Sequence, residues 1–168
     1  MLFRSFNNLA MVSRNLDSDE AALDLYSEGV ARFQQAERMA PARVEYGRGL
    51  TTGLTNRAQL LLEMRQLEDL GPAIVDLAAA AKEPAAHLTA ARMAIKLAAR
   101  LFERDGEAND DMVALWRERA VEYVEIALAR GWQDRAHFET SRTAREYDDI
   151  RGQARFQDAL AKLPAPKQ

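Results

Sequence analysis

Phe6-Asn7-Asn8-Leu9-Ala10 returns 48 positions later as Leu54-Thr55-Asn56-Arg57-Ala58. Each copy is followed by a second apolar-periodic stretch, and a looser copy, Leu88-Thr89-Ala90-Ala91, comes further on. A recurring unit of roughly 33 to 48 residues, long enough for two helices, is the pattern of stacked helical repeats. One such unit cannot bury its apolar face alone. Neighbouring units must therefore stack to form a continuous core.

Composition agrees with that reading. The 168 residues suit one domain, and 48% hydrophobic residues are enough to build a core. Alanine is abundant, Gly and Pro are scarce and β-branched alternation is missing, which predicts an all-α chain. The absence of cysteine leaves no disulfide framework and no thiolate metal site, and fits a reducing, cytoplasmic compartment. With a net charge of −3 and interspersed signs, the chain carries no electrostatic footprint for nucleic acid or an anionic membrane. Asn7, Asn8, Arg14 and Asn15 interrupt the apolar residues near Met1, so neither a signal peptide nor a membrane span is expected.

The helical period divides the chain into six long helices and a shorter tail. The first spans about 3–14, with Phe6, Leu9 and Ala10 on one side. The turn Asp17-Ser18-Asp19-Glu20 supplies an N-cap and early acids to a second helix that runs to about Ala40 and aligns Ala22, Tyr26, Val30 and Phe33. Pro41 ends it. A third helix, about 43–65, aligns Tyr46, Leu50, Leu54, Ala58 and Leu61. The fourth, about 67–82, presents Leu70, Ile74 and Leu77, with Pro72 expected in its first turns, where a missing donor costs least. After the break at Glu83-Pro84, a fifth helix over about 85–103 aligns Leu88, Ala91, Ile95, Ala98 and Phe102. Asp105-Gly106 ends it, and Asn109 caps a sixth over about 110–130, aligning Val113, Trp116, Ala120, Tyr123 and Ala127. Gly131 fits the left-handed position after that helix. A short helical piece after Asp134 and a last helix near 154–162 complete the tail.

Small and bulky residues within these pairs fall on a known pattern. Leu9-Ala10 pairs with Ala22, Tyr26 and Gly29; Arg57-Ala58 with Leu70, Ile74 and Leu77; Ala90-Ala91 with Ala120, Val124 and Ala127. The chain resembles the tetratricopeptide repeats, in which small residues let antiparallel helices approach while a bulky one fills the gap to the next repeat. Arg57 and Leu70 depart from the usual Leu and Ala. The run from Tyr46 to Ala58, with the tail from Arg119 through Gly131-Trp132-Gln133-Asp134 to Phe156-Gln157-Asp158-Ala159-Leu160, is similar to the C-terminal repeat region of multidomain bacterial proteins, many of them Ser/Thr kinases. In the segment where that region has Asp-Pro-Asp-Leu, this chain has Ala144-Arg145-Glu146-Tyr147. The resemblance implies one domain: a right-handed α-solenoid of about three helix pairs, at 3–40, 42–82 and 85–130, closed by a helical cap at 131–168.

Motifs that carry chemistry are weak by comparison. Gly47-x-Gly49-x-x-x-Gly53 matches neither dinucleotide nor phosphate-loop spacing and lies within a helical period, so it reads as small residues for close helix contact. His87 and His137 are far apart and lack carboxylates at metal-ligand spacing. Asp110-Asp111 and Asp148-Asp149 sit at expected helix starts, where acids favour the helix dipole. Trp116 and Trp132 read as core and cap packing. No kinase catalytic-loop or Mg-binding triplet is present. The expectation is a protein without catalysis, cofactor or metal.

What remains is a surface. In tetratricopeptide repeats the first helix of each pair lines the concave face. Carried over by position, that face comprises Arg4, Asn7, Asn8, Met11 and Arg14, then Thr55, Asn56 and Gln59, then Thr89 and Arg92. The implied function is a protein-interaction module holding a peptide or partner domain in a concave groove. The arginines favour acidic or carboxylate-ended peptides. Alternatively, the chain is the regulatory tail of a larger bacterial Ser/Thr kinase whose catalytic domain lies elsewhere. An uncapped N-terminal end around Phe3, Phe6 and Leu9 would also allow self-association.

Overall fold

The computed structural model describes the backbone of residues 2–15 and 18–164 and the side chains of residues 8–14 and 18–164. The described residues are predominantly helical and contain no strand. The order is α1 (Leu2–Asn15), α2 (Asp19–Met39), α3 (Val44–Glu63), α4 (Leu67–Ala80), α5 (Pro84–Asp105), a 3-10 turn (Gly106–Asn109), α6 (Asp110–Ala129), α7 (Ala136–Glu139), a second 3-10 turn (Arg142–Tyr147), α8 (Asp148–Arg151) and α9 (Ala154–Ala161). The helix breaks follow local chemistry. Pro84 takes the first turn of α5, where no donor is needed. Gly106, at φ +59, ends α5, and Gly131, at φ +98, follows α6. There the amide of Gly131 donates to Leu128 O and that of Trp132 to Ala127 O, the paired bonds of a Schellman end. Pro72 differs from expectation: it lies at the sixth position of α4, inside the helix, and is tolerated on its exposed side.

The chain divides into two compact units, Met1–Lys82 and Glu83–Gln168, at the Glu83-Pro84 break. In the first unit the helices pack in series, α1 on α2, α2 on α3 and α3 on α4. Ala10, Ala22, Tyr26 and Leu60 form one core cluster, flanked by Leu23, Leu25 and Met64. The small residues Ala10 and Ala22 are fully buried, which lets α1 and α2 approach closely. Ala58, Leu70, Ile74 and Leu77 are likewise fully buried between α3 and α4. The glycines of α3 serve close contact too: Gly47 and Gly53 are buried, and the Phe33 ring occupies the place that a Cβ on Gly49 would take. Beside Gly47, Lys82 Nζ pairs with Glu37 Oε1 at 2.5 Å. Two residues of the expected stripes are not in the core. Leu9 is 52% exposed, and Tyr46 is half-buried at the start of α3.

In the second unit α5 and α6 form the principal pair. Leu88, Ala91, Ile95 and Ala98 of α5 face Val113, Trp116, Ala120, Tyr123, Val124 and Ala127 of α6, all buried. Phe102 is the exception at 50% exposed; Leu101, one position earlier, is buried in its place. The tail covers α6 through α8 and α9. Its centre is aromatic: Phe138, Tyr147 and Phe156 are fully buried, with ring centroids 5.0–6.2 Å apart. Short helices leave many carbonyls without helical donors, and Arg151 fills that need. Its guanidinium donates to Phe138 O at 3.1 Å, to Ala144 O at 2.8 Å and to Asp148 Oδ1 at 3.0 Å.

Candidate binding surfaces

The expected groove residues fall in both units. On α1, Asn8, Met11 and Arg14 are exposed, whereas the side chains of Arg4 and Asn7, like those of Phe3 and Phe6, lie outside the described residues. Leu9, Met11 and Val12 are each more than half exposed, with Leu9 and Val12 on one side of α1 and Met11 turned well away from Leu9. One turn after Leu9 and Ala10, Arg14 bonds Glu63 of α3 and approaches Asp19 Oδ1 at 3.6 Å. Gln59 Nε2 donates to the other oxygen of Glu63 at 2.7 Å. The structure thus joins two expected contact residues, Arg14 and Gln59, through a glutamate that sequence spacing did not single out. Burial raises the Tyr26 phenol above its ordinary pKa, with Arg14 opposing and Glu63 reinforcing the shift. An open cleft of about 580 Å³ lies alongside, lined by Arg14, Asp19, Glu20, Met64 and Gln66. Farther along α3, Asn56 is half-buried, and the Thr55 hydroxyl donates to Thr51 O at 2.9 Å, so that its proton serves the helix backbone.

In the second unit, Arg92 Nη1 reaches Glu146 Oε2 at 3.1 Å and Nη2 contacts the Thr89 hydroxyl at 3.4 Å. Thr89 itself donates to Ala85 O, and Lys96 Nζ lies 3.6 Å from the other oxygen of Glu146. Arg14 and Arg92, two of the three arginines expected to bind carboxylate ligands, therefore already hold a carboxylate of the chain. Such half-exposed pairs contribute only about 0–1 kcal/mol each. A competing peptide carboxylate would gain little more.

A polar cluster that the periodicity did not indicate surrounds His137. Its Nε2 lies 3.2 Å from the Tyr147 hydroxyl and its Nδ1 3.2 Å from the Thr143 hydroxyl, while Ser141 donates to His137 O at 2.8 Å. Trp132, Phe138 and Tyr147 meet the imidazole edge-on at 5.1–5.7 Å. Burial holds the imidazole below its ordinary pKa and Arg92 acts in the same direction, against Asp134 and Glu146. The Tyr147 phenol is raised by burial. With both ring nitrogens engaged and the ring enclosed by aromatics, the cluster fastens the tail. No helical period could have revealed it, because its members come from a segment of single turns.

Other expected roles are local. Asp110-Asp111 and Asp148-Asp149 occupy the first turns of α6 and α8. Asn109 stands at the N-cap of α6, but its side chain donates to Asp105 Oδ2 at 2.9 Å instead of capping. Trp116 is buried, and the half-buried Trp132 donates its indole N–H to Asp134 O at 3.2 Å. His87 is buried in α5, remote in sequence from His137, and among the described residues no group of three or more His, Cys, Asp or Glu is placed to hold a metal ion. No helix among them is long and apolar enough to cross a membrane. Comparisons with protein families, curated proteins and solved structures find no match.

Proposed function

We propose that the chain is a protein-interaction module built from tetratricopeptide-like helix pairs, and that it binds a partner segment along α1. The observation that carries this reading is the exposure of Leu9, Met11 and Val12 within one turn of α1, near the polar network that Arg14, Glu63 and Gln59 fix among themselves. Three large apolar side chains within one helical turn are costly to leave in water, at about 25 cal/mol per Å² of apolar surface. An amphipathic or extended partner segment would remove that cost. The serial packing of α1 to α4, with Ala10, Ala22 and Tyr26 meeting as repeat signature residues would, supports the helix-pair reading of this unit. The arginines take a supporting part, because their charge is already matched. Peptide selection on the full chain tests the proposal. Selected peptides should be apolar and should lose affinity at least about tenfold, or 1.4 kcal/mol, against Leu9→Ser/Val12→Ser. Selection of acidic peptides whose binding depends on Arg14 or Arg92 would contradict it.

A further inference from the structure

Two exposed corners, one in each unit, are complementary. The turn between α2 and α3 is a short basic tip. Met39 is 78% and Val44 61% exposed, and Arg38, Pro41, Ala42 and Arg43 are exposed around them. Over residues 38–48 the charges are Arg38, Arg43 and Arg48 against Glu45. The tip is held in shape by its own backbone, Arg43 N–H donating to Ala40 O and Tyr46 N–H to Arg43 O, so little loop entropy would be lost on docking. The α5–α6 corner has the opposite character. Phe102, Met112 and Leu115 are 40–50% exposed at the same end of that hairpin, beside exposed Glu107, Asp110 and Asp111. Between residues 103 and 111 five acids stand against the single Arg104.

We propose that the α2–α3 tip of one copy docks on the α5–α6 corner of a second copy. Met39 and Val44 cover the apolar side chains there, while Arg38 and Arg43 meet Glu107 and Asp111. The two surfaces differ, so the contact is head-to-tail, and each associated pair keeps one tip and one corner free for further copies. The small area makes the contact weak, and its exposed charges make it sensitive to salt.

Sedimentation equilibrium of the full chain tests this, with circular dichroism confirming the fold of each variant. The mass should rise with concentration beyond that of a dimer and fall as salt increases. Arg38→Glu/Arg43→Glu, which turns the tip acidic, and Glu107→Lys/Asp111→Lys, which turns the corner basic, should each weaken association at least about tenfold. Mixed in equal amounts, the two variants again present opposite charges at every contact, and association should return. Leu9→Ser/Val12→Ser should leave it unchanged, which separates this contact from association through α1. A monomer at all concentrations, association indifferent to the charge reversals, or a mixture that stays dissociated would overturn the proposal.

Discussion

Gly49 shows how a single hydrogen atom sets the distance between two helices. The buried Phe33 ring of α2 fills the space where any other residue of α3 would carry its Cβ. Gly49→Ala would gain about 1 kcal/mol in helix propensity, yet it forces a core ring to move, and such overpacking costs about 1–3 kcal/mol. The expected net result is a lower denaturation midpoint. In a Phe33→Leu background the same change should become neutral or stabilising; an equal loss in both backgrounds would mean that the ring is not the obstacle. His137 makes a second prediction at this scale. Because the fold depresses its pKa, the unfolded chain takes up a proton first as pH falls through about 6.5. The contribution is therefore complete above that pH and is lost progressively below it, until the native imidazole is protonated as well. Stability of the wild type should fall more steeply than that of His137→Gln between about pH 7 and 5.5, and parallel slopes would remove His137 from the account. The glycine contact was legible in the sequence, since a Gly-rich run inside a helical period has few other uses. The histidine cluster was not, because its partners are brought together by turns without a period.

At the scale of elements, the six long helices follow from apolar spacing and from Pro and Gly at their ends. Phe102 marks the limit of that spacing. Leu101 and Phe102 lie three and four positions after Ala98, so both fit the stripe, and only the packing of α5 on α6 selects Leu101. The end of α3 is another feature that spacing does not announce. Gln66 N–H donates to Leu61 O and Arg65 N–H to Leu62 O, the same paired bonds as after α6, but here the left-handed residue is Arg65, at φ +58. A side chain in that conformation costs about 1–2 kcal/mol, part of which glycine returns through its freedom in the unfolded chain. Arg65→Gly should therefore stabilise the chain by about 0.5–1 kcal/mol in chemical denaturation. A destabilisation of that size would show that the Arg65 side chain makes a contact worth more than the strain.

For the molecule as a whole, the chain divides into two compact units at Glu83-Pro84. Within each unit the cores expected from sequence are buried, including Tyr26 and Leu54 in the first and Ile95, Trp116, Tyr123 and Phe156 in the second. The groove was less legible than the cores. Sequence position can place Arg14 and Arg92 on a helix face, but it cannot show that Glu63 and Glu146 meet them. Once those pairs are known, the exposed apolar residues of α1, of which only Met11 was among the expected contacts, become the surface that carries the proposal. The most direct test is to titrate a selected apolar peptide into isotope-labelled full-length chain and follow the amide and methyl resonances. The account predicts saturable shifts centred on Leu9, Met11 and Val12, with the surroundings of Arg92 unmoved. Shifts centred on Arg92 and Glu146, or none on α1, would contradict it.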